Sequence, residues 1–365
     1  MDKRLYAVVA VGVLCCGAAP ATDCQKLPMQ LRFECGRSEG TAAAPTITKA
    51  RPYSATTTNW DFTSGATTKS NNITVIGIGA EPGATVSVYL DDGGSPTGTG
   101  TADGSGNWSY NLSGLSDASH SVTATQTTGS GTSPASSAFT FTVAALITSF
   151  TNVQNEAITV GGKNAWNETA NTSYAIERLD THTLRYEIDS GDRSTADVAN
   201  GEQCDRSLSD FSAAEPVANG TEVRFTAEFF LESGNPHPTG DRYWWLIYEN
   251  HGPIGSPPWG LYFSGEKMQM QVRYNAPDGG AVTELAPWTD MTNIVRGVWH
   301  TIEVRGKQGQ SGTGYLQVWI DGPQVLNYTG SIGYGAASWV EVGTYRSNLW
   351  TDPVAIRWRN ILISP

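Results

Sequence analysis

Short runs rich in Val, Thr, Ile and Tyr recur along the chain, each broken within a few residues by Gly, Asn, Asp or Ser. No stretch sustains the 3.6-residue apolar spacing of an amphipathic helix. Such a pattern constrains the fold to strands: β-branched and aromatic side chains suit a pleated surface, and the breaks supply turns. The expected class is all-β. A chain of 365 residues predicts two domains. Twelve Trp and 10% aromatic residues supply ample core material, which excludes a mostly disordered chain. The balance of 23 Lys+Arg against 35 Asp+Glu gives a net charge of -12, so no nucleic-acid partner is expected. The acidity itself speaks for solubility, not for a function.

The chain opens Met1-Asp2-Lys3-Arg4, continues with an apolar run from Leu5 to Leu14, and reaches small residues through Ala21. Residues 1–21 therefore read as a signal peptide or an apolar N-terminal segment, too short to span a bilayer. Export to the medium or the cell surface follows from the first reading; a virion component follows if the segment is retained. Of five cysteines, Cys24 and Cys35 could close a small loop in an oxidising compartment, and Cys204 reads as a small buried hydrophobe. No Cys/His spacing suggests zinc, Asp189/Asp192 and Asp91/Asp92 are weak calcium candidates, and neither a metal nor another cofactor is expected.

Residues 22–58 form an N-terminal segment and linker, rich in Thr, Ala, Pro and Ser over 41–58. Residues 59–144 hold five to seven short strands separated by Pro82-Gly83, Asp91-Asp92-Gly93-Gly94 and Asp103-Gly104-Ser105-Gly106, which predicts a small β-sandwich. This stretch closely resembles bacterial immunoglobulin-like domains. The resemblance rests on Gly79–Val86, on Ala102–Ser109 with Trp108, and on Leu115–Val122 with His120. It implies a spacer or adhesive module, with Trp108 in the core, His120 at a turn and no catalytic side chain.

Residues 145–365 carry ten of the 12 Trp and longer strand-like runs, including Glu222–Leu231, Lys267–Tyr274 and Ala355–Ile363. About 220 residues of antiparallel strand with no clear helix predict a two-sheet, concanavalin-like β-jelly roll whose concave sheet is a natural groove for an extended polymer. Three blocks are unusually polar. In Leu184–Arg193 the side chains of Arg185, Glu187 and Asp189 share one strand face, with Asp205-Arg206-Ser207 following. That face is either solvated or suited to a charged ligand. Tyr243–Gly252 is an aromatic strand, with Trp245 and Tyr248, that ends in Glu249-Asn250-His251-Gly252, and Ser256-Pro257-Pro258-Trp259 comes just after. Aromatic faces stack on sugars while Asn and His place directional hydrogen bonds. Val342–Arg346 sets Tyr345 beside Arg346, where a cation would lower the phenol pKa. His300 reads as structural, and His182 and His237 as turn residues.

In order, these blocks resemble the heparin lyase I-like polysaccharide lyases. The matching pieces are Leu184-Arg185-Tyr186-Glu187 through Gly191-Asp192-Arg193, Asp205-Arg206-Ser207, the aromatic strand into His251-Gly252 with Ser256-Pro257-Pro258, Gly297–His300, Leu316–Gly322 and Gly343-Thr344-Tyr345-Arg346. The resemblance implies a jelly roll that cleaves an acidic, uronate-containing polysaccharide by β-elimination. It makes Tyr345 the candidate base and acid, His251 the second catalytic group, and Asn250 and Arg206 the groups that neutralise the uronate carboxylate. Arg185, Glu187, Arg193, Trp245, Tyr248, Trp259 and Arg346 are the expected substrate contacts. The chain departs from the family pattern in three places: Leu208 follows Arg206-Ser207 where a glutamate is usual, Glu249 takes the place of a glutamine, and Glu341-Val342 stands where a lysine is common. An ionised Glu249 would repel a uronate. These departures keep open a non-catalytic glycan-binding or adhesion protein, such as a virion surface or tail component. In either case the partner is a polysaccharide, with a cell-surface or virion partner for the immunoglobulin-like domain.

Overall fold

The computed structural model describes residues 41–212, 216–253, 255–275 and 281–364. The expectations at residues 1–21 and at Cys24–Cys35 lie outside them. Just over half of the described residues lie in strands; the one α-helix among them spans six residues, Thr195–Asn200. Ser194 and Asp197 close a reciprocal capping box at the start of that helix, and Gly201 ends it in the left-handed conformation. Among the described residues no helix is long and apolar enough to cross a membrane.

Two hydrophobic clusters organise the molecule. The first is filled by Ile73, Val75, Val86, Val88, Trp108, Val122, Phe139 and Phe141 between a three-stranded sheet and a six-stranded sheet. Its strands alternate in burial, as in Ile73–Ile78, because successive side chains point to opposite faces. Trp108 lies in this core at 3% exposure. His120 is pinned by Asp91 at 2.8 Å and by the Ser116 carbonyl at 3.0 Å.

The second cluster runs from Leu146 to Ile361 between a nine-stranded sheet and a seven-stranded sheet. From its third strand to its far edge, the nine-stranded sheet pairs, in order, Lys163–Thr169, Cys204–Asp210, Trp339–Ser347, Trp245–His251, Trp259–Ser264, Lys267–Asn275 and Val282–Thr289. Its inner face meets the core, and its outer face carries a groove of about 860 Å³. The seven-stranded sheet closes the other side of the sandwich. Its outer face meets the immunoglobulin-like part through Glu228, which accepts from Asn72, and through Glu303, which accepts from the backbone of Thr56 and Thr57.

Candidate active site

Strand alternation decides what reaches the groove. In Lys267–Asn275, Met268, Met270 and Val272 enter the core while Gln269 and Gln271 line the groove. The aromatic strand Trp245–His251 breaks this rule. Its register against Trp339–Ser347 slips between Leu246 and Tyr248. Ile247 and Tyr248 both face the core, and alternation then resumes out of phase, so that Leu246, Glu249 and His251 line the groove. The partner strand passes the slip at Gly343, whose φ is 147°; a Cβ there would lie 2.2 Å from the Ser207 carbonyl oxygen.

The structure brings Arg206, His251 and Tyr345 to this one groove. Arg206 lies across the Tyr345 ring, Cζ 4.2 Å from its centre, and Trp244 meets the same ring edge-on at 4.8 Å. Arg206 donates to Glu168 and also pairs with Asp197 at 2.8 Å, so the helix Thr195–Asn200 helps hold it. The tyrosine's acidity runs against the sequence-based expectation. Burial pushes the Tyr345 phenol far up, outweighing the Arg206 cation, so it rests protonated.

The remaining expected contacts lie elsewhere. Asn250 is fully buried and donates to the Trp339 carbonyl at 3.3 Å, so it does not reach the groove. Trp245, Tyr248 and Trp259 are core residues with no exposed surface. Trp245 stacks on Phe263 and donates to the Thr344 hydroxyl, and Trp259 donates to the Tyr248 hydroxyl. Arg346 points inward opposite Tyr345, where it pairs with Asp205 at 3.3 Å beside Trp350. Arg193 is not among the residues that line the groove; it donates to the carbonyl of Glu202, which is. Arg185 and Glu187 pair with each other on the outer face of the opposite sheet, where Glu232 and Glu177 also hold Arg185. Their charged face is structural because its charges satisfy one another. Cys204 is a free, buried thiol pushed up to about 11 by burial, in keeping with its reading as a small hydrophobe. His300 is held by Asp321 and the Val295 carbonyl. His182 joins the two parts of the chain by contacting the Lys69 carbonyl and Asp117.

Several groove residues were not anticipated. Arg273 reaches Tyr262, Gln271 and Glu284, and Gln271 donates to Gln269, which makes a hydrogen-bonded polar wall. The period-two spacing of Gln269, Gln271 and Arg273 in a strand-like run was the available signal. On the floor, Glu249 faces Glu341 directly across two strands. Burial pushes Glu341 up to about 8, with help from Asp210 and Glu168, and burial with Glu341 raises Glu249 well above the usual carboxylate range. Both shifts disfavour the ionised form of Glu249 that would repel a uronate. Glu249, His251 and Glu341 bring potential ligand atoms within 4.8 Å of one another.

A family described as polysaccharide lyase matches residues 147–360, and one described as bacterial Ig-like domain matches residues 62–144. No curated protein matches the chain. Similar solved structures include an endo-β-1,4-glucuronan lyase from the fungus Trichoderma reesei, with 14% identity and a TM-score of 0.40 over 55% of this chain and 87% of that one. An alginate lyase from Klebsiella pneumoniae has 13% identity and a TM-score of 0.40, covering 53% and 85%. The alginate lyase AlyA1 from Zobellia galactanivorans has 12% identity and a TM-score of 0.36, covering 53% and 81%.

Proposed function

The chain belongs to the polysaccharide lyase family, which makes it a carbon–oxygen lyase, and from that premise we propose that it cleaves a uronate-containing polysaccharide by β-elimination in the groove of the nine-stranded sheet. The observation that carries this reading is the meeting of Arg206, His251 and Tyr345, from three different strands, on one open groove wall.

Elimination requires a proton to leave C5 of the uronate and a proton to reach the departing oxygen, while the C4–O bond breaks and a C4=C5 double bond forms. Tyr345 is the proton-transfer group. Its phenol is ready to protonate the leaving oxygen; to take the C5 proton it must first ionise, which the Arg206 cation over its ring favours. His251 presents an imidazole to the sugar carboxylate as a hydrogen-bond donor, which withdraws charge and acidifies C5. The wall of Gln269, Gln271 and Arg273 offers amide and guanidinium groups to hydroxyls and carboxylates along the polymer.

Incubation with a panel of uronate polymers and a neutral glucan tests the reading, following ultraviolet absorbance of the unsaturated product. Absorbance should rise with at least one uronate polymer and not with the glucan. Product from the glucan alone, or from none, would remove the uronate assignment.

A further inference from the structure

The groove floor gathers carboxyl groups around a single imidazole, with Glu249, Glu341 and His251 at its centre. Glu249 and Glu341 are directly opposed on neighbouring strands, so ionising both is unfavourable unless a proton or a cation sits between them. They are 1% and 3% exposed. Glu168 and Asp210 add further charge beside Glu341. Arg206, the cation at hand, is already engaged by Glu168 and Asp197.

Two atoms in this cluster are left over. Glu249 Oε2 is buried with no N–H or hydroxyl to accept from, so the contact between the Glu249 and Glu341 carboxyls needs a proton or, in its place, a cation. His251 Nδ1 is also unpartnered and lies 3.6 Å from Glu341 Oε1, beyond hydrogen-bonding reach. Glu341 itself is steadied by the Trp339 indole, which donates to Oε1 at 2.9 Å. That is the outer-shell support characteristic of metal-ligating carboxylates. Two carboxylates, one imidazole and an open side toward the groove form the donor set of a divalent transition metal that keeps exchangeable positions.

We propose that Glu249, Glu341 and His251 form a divalent-cation site in the groove, suited by its mixed nitrogen and oxygen donors to Zn²⁺. Their ligand atoms lie within 4.8 Å, whereas a zinc shell places donors about 3.4 Å apart, so side-chain torsions must close roughly an ångström. His251 ligates through Nδ1 and keeps Nε2–H for the substrate. The open positions take water or a carboxylate. The carboxylate part rests on the uronate reading above; the cation site does not.

The test uses the full chain, with its thiols blocked and metal removed by a chelator, titrated calorimetrically with Zn²⁺. One equivalent should bind. Glu249→Gln, Glu341→Gln and His251→Ala should each weaken that equivalent by about tenfold or more, since loss of outer-shell support alone costs that much. Thermal melts establish that each variant is folded, and three separate substitutions keep the test open if one is not. Absence of binding by wild type, or binding that all the folded variants retain, overturns the proposal. Because no polysaccharide is present, that result is independent of whether the chain acts on uronates.

Discussion

Tyr345 owes its behaviour to two opposed neighbours, the apolar surroundings that disfavour phenolate and the Arg206 guanidinium that favours it. Tyr345→Phe removes only the hydroxyl and keeps the edge contact with Trp244 and the guanidinium stack. Turnover should fall on the order of a hundred- to ten-thousand-fold, the usual worth of a general acid–base group, with polymer binding nearly unchanged. Steady-state kinetics beside a binding titration measures both, and full activity in the variant would remove Tyr345 from the mechanism. At this scale Arg206, His251 and Tyr345 could be picked out through the ordered blocks that carry the family resemblance, and the structure places all three on one groove. Asn250 was not legible as a buried residue, because its place depends on a register slip set by the partner strand. The pKa direction of Tyr345 was misjudged for a related reason: Arg beside Tyr is visible in one dimension, whereas burial is not.

At the scale of elements, the strands and their short turns were readable from β-branched runs and Gly/Asp breaks, and the groove wall follows from period two in Lys267–Asn275. The slip in Trp245–His251 was not readable, since Ile247 and Tyr248 look the same whether the phase changes or not. Nor was the environment of His237, in the stretch after Glu222–Leu231. Its ring packs against Trp350 and Trp245, and its Nδ1–H donates to the Gly265 carbonyl. Burial pulls His237 down from 6.5 to about 4. A histidine depressed in the folded state contributes stability above its unfolded pKa and loses it as pH falls toward the folded value. Stability should therefore drop between about pH 6.5 and 4 by up to about 3 kcal/mol from this group. Denaturant midpoints across that window should fall more steeply for wild type than for His237→Gln. Parallel slopes would show that His237 is not the titrating group.

On the scale of the whole molecule, the immunoglobulin-like part and the groove lie on opposite sides of the lyase sandwich, because one meets the outer face of the seven-stranded sheet and the other lines the nine-stranded sheet. The contact is polar and shared. Glu228, fully buried, accepts from Asn72 at 2.8 Å and also from Asn360 and Arg359, while the Asn360 amide oxygen accepts from the Asn71 backbone. Glu303, also fully buried, accepts from the Thr56 and Thr57 amides at 2.6 and 2.9 Å and from the Thr57 hydroxyl. Each part has its own hydrophobic cluster, so residues 145–365 expressed alone should fold cooperatively, with these carboxylates then hydrated. In the full chain the contact should join the two parts into one thermal transition. Glu303→Ala leaves the Thr56 and Thr57 donors without their acceptor, at about 1–3 kcal/mol for a buried unsatisfied group. Calorimetry should then resolve two transitions, with turnover unaltered because the groove is on the far sheet. A single unshifted transition in Glu303→Ala would mean that the Glu303 contact does not couple the two parts, and a loss of turnover would mean that the seven-stranded face communicates with the groove.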